Sequence, residues 1–213
     1  MKEDHDYQEF YGLYSLIYEY TMVSTERLWG LYNAVMSAIE NEVLGDIVEC
    51  GAARGGSAAL MGLVLKGMGS DKTLWVCDTF EGIPAATADD PPEAMAYTGQ
   101  LRGDIEDVES LFSQLGIMGN CKLAKGLFQD TLPTLGVGAI SVLHLDGDWY
   151  ESTKCGLECL YDKVSPGGFI QIDDYGHWAG CQKAAKEFFF RRAFMPDLKF
   201  LDYTGVQFIK GDG

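Results

Sequence analysis

Basic side chains are scarce in this 213-residue chain. Lysine and arginine together number 16, against 32 aspartate and glutamate residues, which gives a formal net charge of −16 at pH 7. Nucleic acids and anionic membrane surfaces would both be repelled by a chain of this charge. The charge therefore argues against a nucleic-acid partner and against a membrane partner, although it does not indicate a substrate.

Long apolar runs are also missing. No stretch is long enough to span a bilayer, and the first residues, Met-Lys-Glu-Asp-His-Asp, are acidic with no signal-peptide core behind them. We therefore expect a cytoplasmic protein. The six cysteines form no CxxC pair, and Cys155 and Cys159 have no further zinc ligands beside them, so we expect free thiols in a reducing compartment.

What the chain does contain, from Asp46 onward, is an alternation of short apolar strands and helical segments. This pattern is typical of an α/β fold with a mostly parallel sheet and helices on both faces. We predict strands at 46–50, 73–77, 121–124, 140–145 and 168–172, helices at 57–67, 105–115, 151–162 and 181–192, a Ser-Pro-Gly-Gly turn at 165–168, and an antiparallel hairpin over 199–209.

The first 45 residues predict two helices, over 6–20 and 24–41, that are additions to the sheet. No repeat or linker interrupts the chain. We therefore expect one domain, 1–213, with a helical lid or dimer segment at 1–45 and a Rossmann-like core at 46–213. Because the N-terminal helix is aromatic, we expect a homo-oligomer.

The turn after the first predicted strand, Gly51-Ala-Ala-Arg-Gly-Gly-Ser57, is neither G-x-G-x-x-G nor a Gly-Lys-Ser/Thr motif. Its glycines still permit positive φ and the close approach of a ligand. Asp78 ends the next strand, where an acidic residue of such folds bonds ribose hydroxyls. A plain tight turn and a plain strand-end aspartate are the alternatives. The order of the glycine turn and Asp78 within one β-α-β unit nevertheless favours a ligand that contains a nucleoside.

Two later strands each end in a pair of aspartates. Asp146 and Asp148 follow the 140–145 strand, and Asp173 and Asp174 follow the 168–172 strand. Ligands of open α/β sheets bind at the carboxyl ends of the strands, so we expect these carboxylates to converge there. Clustered carboxylates raise one another's pKa unless a cation lies among them, and Mg²⁺ suits hard oxygen ligands. The alternative is that they form turns and cap helices.

Five ordered motifs resemble one family. They are Val-Glu-x-Gly-x-x-Arg-Gly-Gly at 48–56, Trp-Val-x-Asp-x-Phe-Glu-Gly-Ile-Pro at 75–84, Lys-Gly-x-Phe-x-Asp-Thr-Leu-Pro at 125–133, Leu-Asp-Gly-Asp-x-Tyr-Glu-Ser-Thr at 145–153 and Gly-Gly-Phe-Ile-x-Ile-Asp-Asp-Tyr at 167–175. This pattern resembles the macrocin and mycinamicin O-methyltransferases, which methylate sugar hydroxyls of natural products with S-adenosylmethionine (SAM) and Mg²⁺. The resemblance implies a class I SAM-dependent methyltransferase fold with a seven-stranded sheet.

The resemblance also implies roles for individual residues. By position, Glu49, Gly51 and Ser57 would hold the methionine part of SAM, Asp78 its ribose, and Gly126 and Phe128 its adenine, with Thr21 and Met22 closing over it. Asp146, Asp173 and Asp174 would bind the metal, Asp146 lying beside the cofactor as well, and Asp148 would be the base.

The predicted reaction is O-methylation of one hydroxyl of a vicinal diol, most naturally on a sugar of a glycosylated natural product. A divalent cation on two adjacent hydroxyls lowers the pKa of the attacking one, and Asp148 takes its proton. His177 either orients the acceptor and shares the proton or is a loop histidine without a role. A Mg²⁺-dependent aspartyl phosphatase and a non-catalytic SAM- or sugar-binding protein are the alternatives.

Overall fold

Seven strands form one sheet in the computed structural model, which describes residues 2–211, with side chains from Asp6 onward. The strands are β1 (Asp46–Cys50), β2 (Leu74–Asp78), β3 (Cys121–Lys125), β4 (Ile140–Leu145), β5 (Val164–Ile172), β6 (Lys199–Phe200) and β7 (Val206–Ile209). Their order is β3-β2-β1-β4-β5-β7-β6. The first five of these are parallel neighbours, whereas β7 is antiparallel to both β5 and β6. The mostly parallel sheet and the terminal hairpin are thus confirmed.

The helices are α1 (Lys2–Ile17), α2 (Thr25–Glu40), α3 (Gly56–Gly67), α4 (Ile105–Leu115), α5 (Phe128–Thr131), α6 (Tyr150–Leu160) and α7 (Ala179–Arg191). α2 begins where predicted, because the Ser24 hydroxyl accepts the Arg27 amide at 3.3 Å. Within residues 2–211, no helix combines the length and the apolar character that a membrane crossing requires.

Both faces of the sheet are covered, as its near-continuous apolar strands require. Successive strand residues point to opposite faces, so Ile47 and Val48 belong to different apolar clusters. The first cluster lies under α1 to α4, and the second lies under α6 and α7. Packing against these two cores holds the helices on the two faces of the sheet.

One predicted turn is wrong. The Ser165-Pro166-Gly167-Gly168 segment lies inside β5, where the pairing with β4 shifts between Ile140 and Val142. The Gly167 amide donates to Lys210 O at 2.8 Å, and the Lys210 amide donates to Gly168 O at 2.8 Å. Lys210, the residue directly after β7, therefore supplies the hydrogen bonds that keep this irregular segment in the sheet, and the turn residues mark a bulge.

The direction of winding reverses between β1 and β4. β2 and β3 lie on one side of β1, while β5 lies on the far side of β4. In such sheets the carboxyl ends of the two central strands border a ligand crevice. The Asp146 amide donates to Cys50 O at 2.8 Å, so the two chain segments leave the sheet side by side.

Candidate active site

A cavity of about 680 Å³ opens at this reversal point. The sequence-predicted residues that line it are Thr21, Met22, Gly51, Ser57, Asp78, Phe128, Asp146, Asp148, Asp173, Asp174 and His177. Two predicted residues are not on its wall: Glu49 is fully buried within β1, and Gly126 lies beyond β3, where its amide donates to Asp78 O at 2.9 Å. The structure thus brings residues from both halves of the sheet to one crevice.

The turn after β1 fits closely against Asp146. Gly51 has φ of +96°, and a Cβ on it would lie 1.7 Å from Asp146 O, so only glycine fits. The amides of Ala52 and Ala53 donate to Asp78 Oδ2 at 2.7 and 3.0 Å, and the Phe80 amide donates to Asp78 Oδ1 at 2.7 Å. Asp78 therefore ties the turn to the end of β2, a structural role that the sequence did not reveal.

The segment that carries Thr21 and Met22 lies directly on the glycine turn. A Cβ on Gly56 would come within 2.6 Å of Thr21 Cβ. Arg54 donates to Glu19 O at 2.9 Å, and its guanidinium lies 5.6 Å from the Tyr20 ring centroid. The segment between α1 and α2 is thus held at the mouth of the cavity.

Three buried side chains form a hydrogen-bonded chain across the sheet, and the last of them, Asp173, lines the cavity. His144 Nδ1 lies 2.9 Å from Glu49 Oε1, and His144 Nε2 lies 3.3 Å from Asp173 Oδ1. Burial lowers the pKa of His144, but the hydrogen bonds to Asp173 and Glu49 outweigh it and raise this pKa to about 9. The imidazole is therefore a cation at neutral pH. Glu49 Oε2 is buried without a hydrogen-bond partner.

Arg27 of α2 is a second cation at the site that the sequence did not identify. Its Nη1 donates to Asp173 Oδ2, and its Nε donates to Asp202 Oδ2 at 2.9 Å. Burial would raise the pKa of Asp173, but the bond from His144, with the contacts of Arg27 and Gln171, more than offsets it and lowers that pKa. Asp173 is therefore ionised and held between two cations.

The remaining carboxylates are not compensated in this way. Burial, followed by repulsion from neighbouring aspartates, raises the pKa of Asp146 and of Asp174 well above the ordinary value. One ligand atom each of His144, Asp146 and Asp173 lie within 4.8 Å of one another. Among the described side chains, the group that could share a cation therefore contains His144, whereas the predicted group contained Asp174, the residue after Asp173.

Asp148 has an unusual backbone conformation, with φ of +58°. Its amide donates to Asp174 Oδ2 at 3.1 Å, and its Oδ1 accepts the indole N–H of Trp178 at 3.1 Å. Burial raises the pKa of Asp148 to about 6, although the Trp178 bond opposes the shift. A carboxylate with a pKa near neutrality that lines the cavity is suited to general-base catalysis.

Aromatic rings surround Asp148 on the side of the cavity mouth. The Trp178 ring centroid lies 4.9 Å from that of Trp149, 5.4 Å from that of Tyr97 and 4.7 Å from that of His177, which in turn lies 5.9 Å from Tyr203. Trp149 is 1% exposed and packs under the loop that follows β2. His177 and Tyr203 are exposed and form the rim.

Comparison with known proteins agrees with this geometry. A sequence model of the macrocin-O-methyltransferase family (TylF) matches residues 13–210. A tetracenomycin 4′-O-methyltransferase of Streptomyces olivaceus, which acts on 8-demethyl-8-(2,3-dimethoxy-alpha-L-rhamnosyl)-tetracenomycin-C, is 37% identical over 194 residues, which cover 88% of this chain and 74% of that protein. Mycinamicin III 3″-O-methyltransferase of Micromonospora griseorubida is 35% identical over 196 residues, with 88% and 77% covered.

A solved structure shows the same fold. The O-methyltransferase NovP superposes with a TM-score of 0.86 at 35% identity, and the alignment covers 90% of this chain and 82% of NovP. The sheet is therefore that of the class I SAM-dependent methyltransferases, and the aspartyl-phosphatase alternative receives no support. From the motif positions, the sheet order and these matches, the chain belongs to the macrocin-O-methyltransferase family and is an O-methyltransferase.

Proposed function

We propose that the protein transfers the methyl group of SAM to one hydroxyl of a vicinal diol, on a sugar of a glycosylated natural product, with the help of Mg²⁺. The observation that carries this proposal is the group of carboxylates at the reversal point of the sheet, beside Asp148, in which repulsion between neighbours raises the pKa of Asp146 and of Asp174. Carboxylates this close together repel one another and raise the free energy of the folded protein unless a cation binds among them.

The residues around the glycine turn fit SAM. Gly51 permits a close approach, Ser57 and Phe128 line the cavity, and the unpartnered Glu49 Oε2 is a buried acceptor for an ammonium group. A carboxylate has about four lone-pair sites, so Asp78 retains capacity for ribose hydroxyls beside its backbone bonds. We assign Glu49, Gly51 and Ser57 to the methionine part, Asp78 to the ribose, and Gly126 and Phe128 to the adenine, with Thr21 and Met22 as the cover.

The donor set fits a hard divalent cation. Asp146, Asp173 and Asp174 would hold Mg²⁺ through carboxylate oxygens, the ligands that it prefers. Mg²⁺ would supply Lewis acidity to the acceptor hydroxyl, and SAM would supply the methyl group. Arg27 and His144 hold Asp173 ionised for this task.

Asp148 accepts the proton that the hydroxyl loses. Trp178 fixes one carboxylate oxygen of Asp148 by its indole N–H, and the backbone bond to Asp174 fixes the main chain. The other oxygen stays available to the acceptor. His177, on the rim, would orient the acceptor against Tyr203.

The cavity wall favours a neutral acceptor with an apolar aglycone. Among the described residues that line it, Arg27 is the lone lysine or arginine, and its guanidinium is engaged by Asp173 and Asp202. The exposed apolar side chains on the wall are Met22, Tyr97, Leu101, Leu127 and Tyr203. A nucleoside diphosphate sugar would bring negative charge to an acidic site, so the glycoside is the better fit.

The test is methyl transfer from isotopically labelled SAM to a panel of neutral glycosides with adjacent hydroxyls, run beside the same sugars as nucleoside diphosphates. We expect labelled glycoside. Label on the nucleoside diphosphates alone would overturn the acceptor class, and transfer to none of them by protein that binds SAM would contradict the proposed reaction.

A further inference from the structure

Asp90 is a buried carboxylate in the loop 79–104, between β2 and α4. It is 8% exposed, whereas the Asp89 side chain beside it is 40% exposed and pairs with Lys183 at 2.7 Å. Asp90 Oδ2 accepts the amide and the hydroxyl of Thr87 at 2.9 and 3.1 Å, and Oδ1 accepts the Tyr150 amide at 2.8 Å. Its partners are therefore neutral donors, one of them on another element.

That element is α6, which begins at Tyr150 and carries no cap of its own. The residue before it is Trp149, whose side chain makes no capping bond. Asp90 thus caps the first amide of α6 from 60 residues away in sequence, with its negative charge at the positive end of the helix.

Two neighbouring contacts hold the same loop. The Trp149 indole N–H donates to Pro84 O at 2.8 Å. On α7, a Cβ on Gly180 would lie 1.9 Å from Asp90 Oδ1, so α7 approaches the carboxylate at a residue without a side chain. The loop also presents Tyr97 to Trp178, the indole that binds Asp148.

We propose that Asp90 is a positioning residue for methyl transfer: by capping α6 it locks the loop 79–104 to the Asp148-Trp149-Tyr150 segment and so fixes the base relative to the acceptor wall. The inference rests on the proposed function, because Asp148 is the proposed base. It also explains how Asp148 retains a left-handed backbone conformation, which persists only where the surrounding contacts fix it.

The experiment compares Asp90→Ala and Asp90→Asn with the matched control Asp89→Asn. For Asp90→Ala we expect hydrogen exchange at the Tyr150 amide and across the loop 79–104 to accelerate about fivefold or more, because a cap is lost. We expect kcat to fall about tenfold or more with the Kd for SAM unchanged, since a misplaced base slows the chemical step. Asp90→Asn keeps one acceptor oxygen and should recover part of both effects.

Gly180→Ala displaces the carboxylate from the opposite side and should reproduce the Asp90→Ala pattern. If Asp90→Ala matches Asp89→Asn in exchange and in kcat, the proposal is overturned. A general loss of protection together with weakened SAM binding would overturn it too, since Asp90 would then be merely structural. If the wild-type protein transferred no methyl group, the proposed function would fail, while the exchange at Tyr150 would still decide whether Asp90 anchors the loop.

Discussion

Asp148 joins three features at the scale of a single residue: a left-handed backbone, an indole hydrogen bond and a pKa raised to about 6. Each would be unusual for a surface aspartate. Together they describe a carboxylate that is held in place and titrates near neutrality, as general-base catalysis requires.

Asp148→Asn is therefore expected to reduce turnover by a factor of about 10² to 10⁴, because an amide cannot take the proton. The Kd for SAM, measured by calorimetry, should stay unchanged. The control is Asp130→Asn, at an exposed position of α5. Wild-type turnover in Asp148→Asn would disprove the base assignment.

Some site residues could be predicted from the sequence, and others could not. Asp146 and Asp173 each follow an apolar strand, so the local sequence pattern was enough to predict where they lie. His144 lies within such a strand and meets Glu49 through the register of β4 on β1, at a separation of 95 residues. Arg27 looked like an ordinary helix residue. Its partners depend on the hairpin turn that places Asp202 beside α2, which no local pattern encodes.

At the scale of elements, the start of α2 connects the helical segment to the site. The Ser24 hydroxyl donates to Asp202 Oδ2 at 2.7 Å and accepts the amide and Nε of Arg27. One serine thereby caps the helix and orients the cation that holds Asp173.

Ser24→Ala should lower the free energy of unfolding by about 1 kcal/mol, because it removes an N-cap. Urea denaturation measures this directly. Ser15→Ala on α1, an exposed serine that bonds only its own helix, should stay within about 0.5 kcal/mol of wild type. Equal effects of the two substitutions would argue against the cap.

The boundaries of most elements followed from periodicity and capping signals, and β1, α4 and β4 match the predicted ranges. The turn predicted at 165–168 was wrong because glycine and proline indicate only local backbone freedom, whereas the hydrogen bonds of Lys210, directly after β7, keep that segment in the sheet. The attachment of the loop 79–104 through Asp90 and Pro84 depends on contacts with Tyr150 and Trp149 that are distant in sequence, so no local pattern encodes it.

At the scale of the molecule, a chain of net charge −16 concentrates carboxylates at one crevice. The raised pKa of Asp146 means that the folded protein favours the protonated carboxyl group. Ionising this group therefore lowers the free energy of unfolding as the pH rises, and the loss is present at pH 7. The homo-oligomer and the single-domain division stay predictions, the former consistent with the exposed Tyr7, Tyr11 and Tyr18 of the N-terminal segment.

Mg²⁺ should therefore raise the Tm of the wild-type protein relative to EDTA, since it binds the folded state. Asp146→Asn should be the more stable protein in EDTA, because it relieves the repulsion, and should lose the Mg²⁺ response. Asp71→Asn, at an exposed loop position, should respond as the wild type does. A Mg²⁺ response that survives in Asp146→Asn would contradict the metal assignment.

The measurement that tests the central claim most directly is calorimetric titration of the purified protein with SAM, with and without Mg²⁺, beside the Gly51→Ala variant. We predict saturable binding near micromolar affinity to the wild-type protein and none to Gly51→Ala, whose added Cβ would meet Asp146 O and close the turn. Absence of binding to the wild-type protein in both conditions would contradict the assignment of this crevice to SAM, and with it the proposed methyl transfer.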